Sequence, residues 1–191
     1  DEVIFALNYL SEAFVEHYEK SAYGMRARYS HEPKPLGTGG CVKNAKDLIG
    51  HDEPFLLLNG DILSKINHKK LVAQHARNGG VATVALHRVN DPSRYGAVEM
   101  DRNRIRRFVE KPPRGKSPSN LINAGVYALS PEIYDYIQSE RRVSIEREVF
   151  PALVRDEKLF GYSAWEAIGR NIDDLIADAP EIKDQAKAFN D

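Results

Sequence analysis

The sequence predicts an α/β fold: a Rossmann-like, doubly wound and mostly parallel sheet carrying an added antiparallel hairpin. Three observations predict it. Val3-Ile4-Phe5-Ala6-Leu7, Phe55-Leu56-Leu57-Leu58 and Val81-Ala82-Thr83-Val84-Ala85-Leu86 are near-continuous apolar runs of strand length, the pattern of strands buried on both faces. Segments with apolar residues at helical spacing alternate with these runs, as crossovers between parallel strands require. From Tyr95 the pattern changes to two strands either side of Arg102-Asn103-Arg104, an antiparallel hairpin.

With 191 residues and 42% hydrophobic content, the chain suits one domain, 1–191, with a sizeable core. Its 27 basic and 28 acidic residues leave a formal net charge of -1, which excludes a general attraction to nucleic acid or to an anionic membrane. Phosphate recognition must therefore be local. The single cysteine, Cys41, can form no internal disulfide, and no run is apolar and long enough for a signal peptide or a membrane span. A cytoplasmic protein is the simplest account, and a homo-oligomer is left open. The chain opens on a strand with no initiator Met, which reads as a start inside a domain.

In order, the first strand leads through a turn to Ser11, an N-cap for a helix carrying Phe14, Val15 and Tyr18 and ending at Gly24. Met25 to Ser30 is a second strand, and Glu32-Pro33-Lys34-Pro35 is extended because each proline restricts its predecessor. Leu36-Gly37-Thr38-Gly39-Gly40 then feeds a helix over 41–48. A glycine-rich turn at a helix N-terminus exposes backbone N–H groups to a nucleotide, although the same residues also read as a plain loop and helix start. There is no Walker A loop and no dinucleotide fingerprint.

The Phe55–Leu58 strand ends in Asn59-Gly60-Asp61. A carboxylate at the carboxyl end of such a strand can hold a divalent cation between phosphates, so Asp61 is the leading candidate for chemistry; a simple turn is the alternative. A helix through Leu71–Ala76 stops at Gly79-Gly80, and its His75, with no second ligand at metal-binding spacing, reads as a surface or packing residue. The basic Arg102–Arg107 hairpin lacks the interleaved aromatics of an RNA surface. Leu121 to Leu129 is a strand whose Gly125 marks a bulge or a close approach. Pro131–Ile137 starts a helix, and Ser144 caps another that ends at Phe150-Pro151. Leu159–Tyr162 is a last short strand, Trp165–Gly169 a loop, and Ile172 to Phe189 a charged helical tail.

The ordered set Pro35–Gly40, Leu58–Asp61, Tyr95–Glu99, Val109–Pro112, Asn123–Tyr127 and Ser144–Glu146 resembles the sugar-phosphate nucleotidyltransferases, the NDP-sugar pyrophosphorylases. The resemblance implies attack of a sugar 1-phosphate on the α-phosphorus of an NTP, giving an NDP-sugar and pyrophosphate. GTP is favoured as the nucleotide and GDP-mannose as the product. By the same resemblance Asp61 holds Mg2+ and is catalytic, Leu36, Gly37 and Thr38 contact the base, Gly96, Glu110 and Asn123 contact the sugar, and Lys111 acts on the sugar phosphate.

Two departures stand out. The family's opening strand and glycine-rich loop, Gly-x-Gly-Thr-Arg-Leu with Pro-Lys-Pro, find no match here, and Ala167 stands where the family's Trp-x-Asp-Ile-Gly carries a second metal-binding Asp. An isolated chain with these departures is expected to bind nucleotide poorly and turn over slowly. The alternative is a weak or inactive relative serving as a regulatory or assembly subunit. A dehydrogenase is excluded for want of Gly-x-Gly-x-x-Gly after a first strand.

Overall fold

The computed structural model describes residues 1–9, 11–19, 21–163 and the backbone of 169–171. The loop expected at Trp165–Gly169 lies outside the described residues up to Ile168, Ala167 included, and its Gly169 is in a strand; the charged tail from Ile172 also lies outside them.

The first layer is small. Strand β1 (Glu2–Leu7) pairs in parallel with β3 (Met25–His31) through the crossover helix α1 (Ser11–Tyr18), and the short β2 (Ser21–Ala22) turns back on β3. Gly24, expected to end α1, instead shapes the β2–β3 hairpin turn, where Tyr23 and Gly24 both take positive φ. Phe5, Phe14, Tyr18 and Tyr29 pack their rings between helix and sheet with centroids 4.8–5.9 Å apart.

The main sheet runs β4-β9-β6-β10-β8-β7, formed by β4 (Phe55–Leu58), β6 (Ala82–Arg88), β7 (Gly96–Asp101), β8 (Arg104–Glu110), β9 (Leu121–Leu129) and β10 (Leu159–Ser163). Because β7 also pairs with β9, five of these strands close into a ring. The strand β5 (Ile62–Ser64) stands apart, paired with β11 (Gly169–Asn171). The expected α/β class holds, but the sheet is mixed where a mostly parallel one was expected. Among the described residues the parallel pairs are β1–β3 and β6–β10; β9 runs antiparallel to β4, β6 and β7. A continuous apolar run reports burial, and burial inside a closed ring leaves the same pattern as burial between helices.

The hairpin is real, and its role differs from the expected one. It is not an addition at the edge: β8 reaches β10, and β7 reaches β9. Strand β4, expected to be buried on both faces, lies at the outside of the sheet with Phe55 to Leu57 half-buried and Leu58 49% exposed. The principal core, with Val84, Leu86, Val98, Ile105, Tyr127, Phe150 and Leu153, fills the space between the ring and α5 (Phe150–Arg155). Burying such side chains is worth about 1.5–3 kcal/mol each.

Helix α4 (His68–Asn78) is capped by Asn67, whose side chain accepts from Lys70 N, and ends at Gly79 in the left-handed conformation. His75 is a packing residue. Its Nδ1 lies 3.0 Å from Thr83 Oγ1 and its Nε2 2.9 Å from Ser130 Oγ. Ser130 Oγ donates to Gly80 O, so the imidazole donates through Nε2 and accepts at Nδ1 from Thr83, a fully paired neutral ring. Burial pushes its pKa down accordingly. Among the described residues no helix is long and apolar enough to cross a membrane.

Candidate active site

The candidate site is assembled by register. Gly96 pairs with Glu110 across β7–β8, and Ala97 pairs with Ile122 across β7–β9, which sets Gly96 beside Asn123. A side chain at Gly96 would meet Glu110 Oε2 at 2.8 Å, so the carboxylate lies directly over the glycine. Three residues expected to contact a sugar are thus brought together by the ring. Lys111 follows Glu110 with φ of 49°, unusual for a residue with a side chain, and its amide donates to Tyr95 O at 2.9 Å. Its exposed ammonium has no ion-pair partner among the described residues.

Asn123 is fixed at both ends of its amide: Oδ1 accepts from Gly125 N at 2.9 Å, and Nδ2 donates to Tyr127 Oη at 2.8 Å. The expected irregularity at Gly125 is present, for the β6–β9 register shifts between Val84 and Leu86 and Gly125 takes φ of +68°. What approaches it is the protein itself. A Cβ there would overlap Ile62 and sit 3.1 Å from Asn59 Nδ2, and Asn59 N donates to Gly125 O at 2.9 Å. The Asn59-Gly60-Asp61 turn is thereby tied to the bulge holding Asn123. Asp61 itself is exposed, with no hydrogen bond or ion pair among the described contacts.

The glycine-rich segment differs from expectation. The helix begins at Gly37, not Cys41: α2 spans Gly37–Asn44 and α3 spans Lys46–Ile49. Gly39 N and Gly40 N both point to Val143 O, at 2.9 and 3.3 Å, and Val143 N donates to Leu36 O. Two of the five amides expected to face a nucleotide therefore hold the helix start against the segment at Val143, and a third, Leu36 N, donates to Glu32 Oε2. Leu36 is buried at the start of the helix. Cys41 donates to Thr38 O, and burial pushes its thiol up to about 11, so it stays protonated at neutral pH.

Thr38 is also committed. Its hydroxyl donates to Glu146 Oε2 at 2.6 Å and accepts from Ile145 N at 3.0 Å. Ser144 caps a π-turn (Ile145–Val149) as expected, accepting from Arg147 N, and the chain continues through Pro151 into α5 where an end was expected. The residues around Glu146 had no assigned role in the sequence, although Ser144-Ile145-Glu146 is one of its motifs.

Charge unites these groups. Burial, and then the nearby Glu146 carboxylate, raises the pKa of Glu110, against the opposing pull of Lys111 and Arg147. Burial and Glu146 likewise raise Tyr127, while the Asn123 and Asn59 amides pull the other way. Glu110, Glu146, Asn123, Tyr127 and Lys111 therefore share one electrostatic neighbourhood at the end of the ring. Its residue types, unpaired carboxylates beside a lysine and side-chain amides, suit a ligand with hydroxyls and a phosphate.

A family model described as nucleotidyl transferase matches residues 1–185. The chain is 42% identical over 165 residues to the mannose-1-phosphate guanylyltransferase catalytic subunit beta of Dictyostelium discoideum, covering 84% of this chain and 45% of that protein. It is 37% identical over 196 residues to the mannose-1-phosphate guanyltransferase of Saccharomyces cerevisiae, covering 97% and 53%. It spans about half the length of these curated relatives. In fold it is similar to HddC from Yersinia pseudotuberculosis, with a TM-score of 0.74 and 24% identity over 90% of this chain and 72% of that one.

Proposed function

Because the chain belongs to the nucleotidyl transferase family, we propose that it serves sugar-1-phosphate nucleotidyl transfer, in which a sugar 1-phosphate and an NTP give an NDP-sugar and pyrophosphate. The names of the two curated relatives favour mannose 1-phosphate and GTP as the pair and GDP-mannose as the product. The observation that carries the reading is the convergence of Gly96, Glu110, Lys111 and Asn123 at one end of the ring, in the field of Glu146 and so beside the start of α2. We read the parallel β1–α1–β3 unit as the Rossmann-like part of the fold, and a cytoplasmic setting as part of the same proposal.

In this reading Lys111 receives the sugar phosphate and offsets the charge that builds as its oxygen attacks the α-phosphorus and pyrophosphate departs. Little covalent work falls to the protein; alignment and charge neutralisation carry such a reaction. Glu110 accepts from sugar hydroxyls, and Asn123, with one lone pair and one N–H still free, holds a further hydroxyl. Of the three base-contact residues, Gly37 and Thr38 offer the base their backbone, since the Thr38 hydroxyl is already used; Leu36, buried with its amide on Glu32 Oε2 and its carbonyl on Val143 N, holds that backbone in place.

Among the described residues no group of three or more His, Cys, Asp or Glu could hold a metal ion. Asp61, an exposed carboxylate with no hydrogen bond or ion pair among the described contacts, would hold magnesium, an ion that commonly takes one or two carboxylates together with substrate phosphates. When bound, magnesium would neutralise the phosphates.

The test is pyrophosphate release and GDP-mannose formation by the full chain given GTP, mannose 1-phosphate and magnesium. Release that requires mannose 1-phosphate, and that falls at least about a hundredfold in Lys111→Ala, is expected. No product, together with no calorimetric binding of GDP-mannose at millimolar concentration, would overturn the proposal.

A further inference from the structure

Glu146 is held from two sides. Its Oε2 accepts from Thr38 Oγ1 at 2.6 Å and from Ser144 Oγ at 2.8 Å. Both hydroxyls are themselves fixed, because Thr38 Oγ1 accepts from Ile145 N and Ser144 Oγ accepts from Arg147 N. All the hydrogen bonds that reach this carboxylate among the described contacts fall on Oε2. Oε1 is left with unused lone pairs on a half-buried side chain.

Glu110 has even fewer partners. Half-buried and stacked over Gly96, it accepts no hydrogen bond among the described contacts. Glu146 acts on it as a like charge and, after burial, raises its pKa against the pull of Lys111 and Arg147. Two carboxylates that repel each other, one with no donor and the other with one oxygen unserved, are unfavourable in the empty protein. A ligand bringing more than one hydroxyl donor relieves both at once.

We propose that Glu146 is a specificity-determining residue for the sugar: its free oxygen accepts a hydroxyl of the hexose whose phosphate meets Lys111, while Glu110 accepts another. This rests on the proposed sugar-1-phosphate reaction and adds to it a second carboxylate, positioned by the helix start at Thr38. A divalent cation is a poorer occupant, since no third acidic or imidazole group joins the pair among the described residues.

Glu146→Gln is the discriminating change. Its amide oxygen can keep the Thr38 and Ser144 hydrogen bonds, but an NH2 then replaces the acceptor that faces the sugar. The experiment is calorimetric titration of the full chain with mannose 1-phosphate, with each monodeoxy-mannose 1-phosphate, and with GTP. Expected is a loss of mannose 1-phosphate affinity of roughly tenfold to a hundredfold, the range for a hydrogen bond to a charged group. GTP affinity should stay within about threefold, on the same scale of effects. In addition, one monodeoxy analogue should be penalised in the wild type and not in the variant.

Unchanged mannose 1-phosphate affinity would overturn the inference. So would parallel losses of GTP binding, melting temperature and sugar affinity with every deoxy penalty intact, which would make Glu146 only a strut for Thr38. A wild type that binds no mannose 1-phosphate would instead bring down the underlying reading, and the inference with it.

Discussion

Thr38 and Glu146 lie 108 residues apart in sequence and share a 2.6 Å hydrogen bond, with Thr38 also accepting from Ile145 N. The bond joins the first turn of α2 to the π-turn that enters α5. Thr38→Val keeps the shape and removes the hydroxyl, stranding Ile145 N and one acceptor of Glu146. A loss of about 1–2 kcal/mol is expected in urea unfolding, with Thr38→Ser retaining most of it.

His75 predicts acid sensitivity. Burial lowers its folded pKa below the ordinary value of about 6.5, so the unfolded chain binds the proton more readily. The stability this contributes is complete above about pH 6.5 and is lost as pH falls towards the lowered folded value. The melting temperature of the wild type should therefore drop more steeply between about pH 7 and pH 5 than that of His75→Gln. At pH 8 the variant should be the weaker by about 1–3 kcal/mol, through unpaired Thr83 and Ser130.

Gly125→Ala tests the bulge. The substitution needs φ of +68° and forces a methyl group into Ile62. Destabilisation of about 2 kcal/mol or more is expected, together with displacement of the Asn59–Asp61 turn that is bonded to Gly125 O. Amide exchange at Asn59 would report that displacement. Protection equal to the wild type would show that the turn does not depend on the bulge.

Glu110 predicts a trade between stability and binding. Its folded pKa is raised, chiefly by burial, so folding is favoured below the unfolded value and this advantage is lost as pH rises through the folded one. At neutral pH the carboxylate is a liability. Glu110→Gln should raise the melting temperature there by about 2–4 °C, for a gain of about 1 kcal/mol, while weakening mannose 1-phosphate binding at least tenfold on the hydrogen-bond scale.

Much of the fold is legible in the sequence wherever a local signal exists. The Arg102-Asn103-Arg104 hairpin, the Gly79 cap, the Ser144 cap and the Gly125 irregularity all stand where turn and cap chemistry place them. Strand direction is different. Nothing in Leu121–Leu129 says that it runs against β4 and β6, because a run apolar on both faces is indifferent to the polarity of its neighbours. The site shows the same division. Gly96, Glu110 and Asn123 were found as motif residues, and the ring puts them together. The tie from Thr38 to Glu146 depends on contacts across most of the chain, which no spacing rule reaches.

The closed ring also sets an order of events during synthesis. Ala82 of β6 pairs with Leu159 of β10 and with Leu129 of β9, so this largely buried strand has neither neighbour when it leaves the ribosome. Chains grow at about 5–20 residues per second, whereas a hairpin such as β7–β8 closes in about 1–10 μs. The hairpin is therefore ready long before the strand that seals it to β6. For several seconds Val84 and Leu86 wait uncovered, and a nascent chain stalled before Ser163 is a natural client for a chaperone.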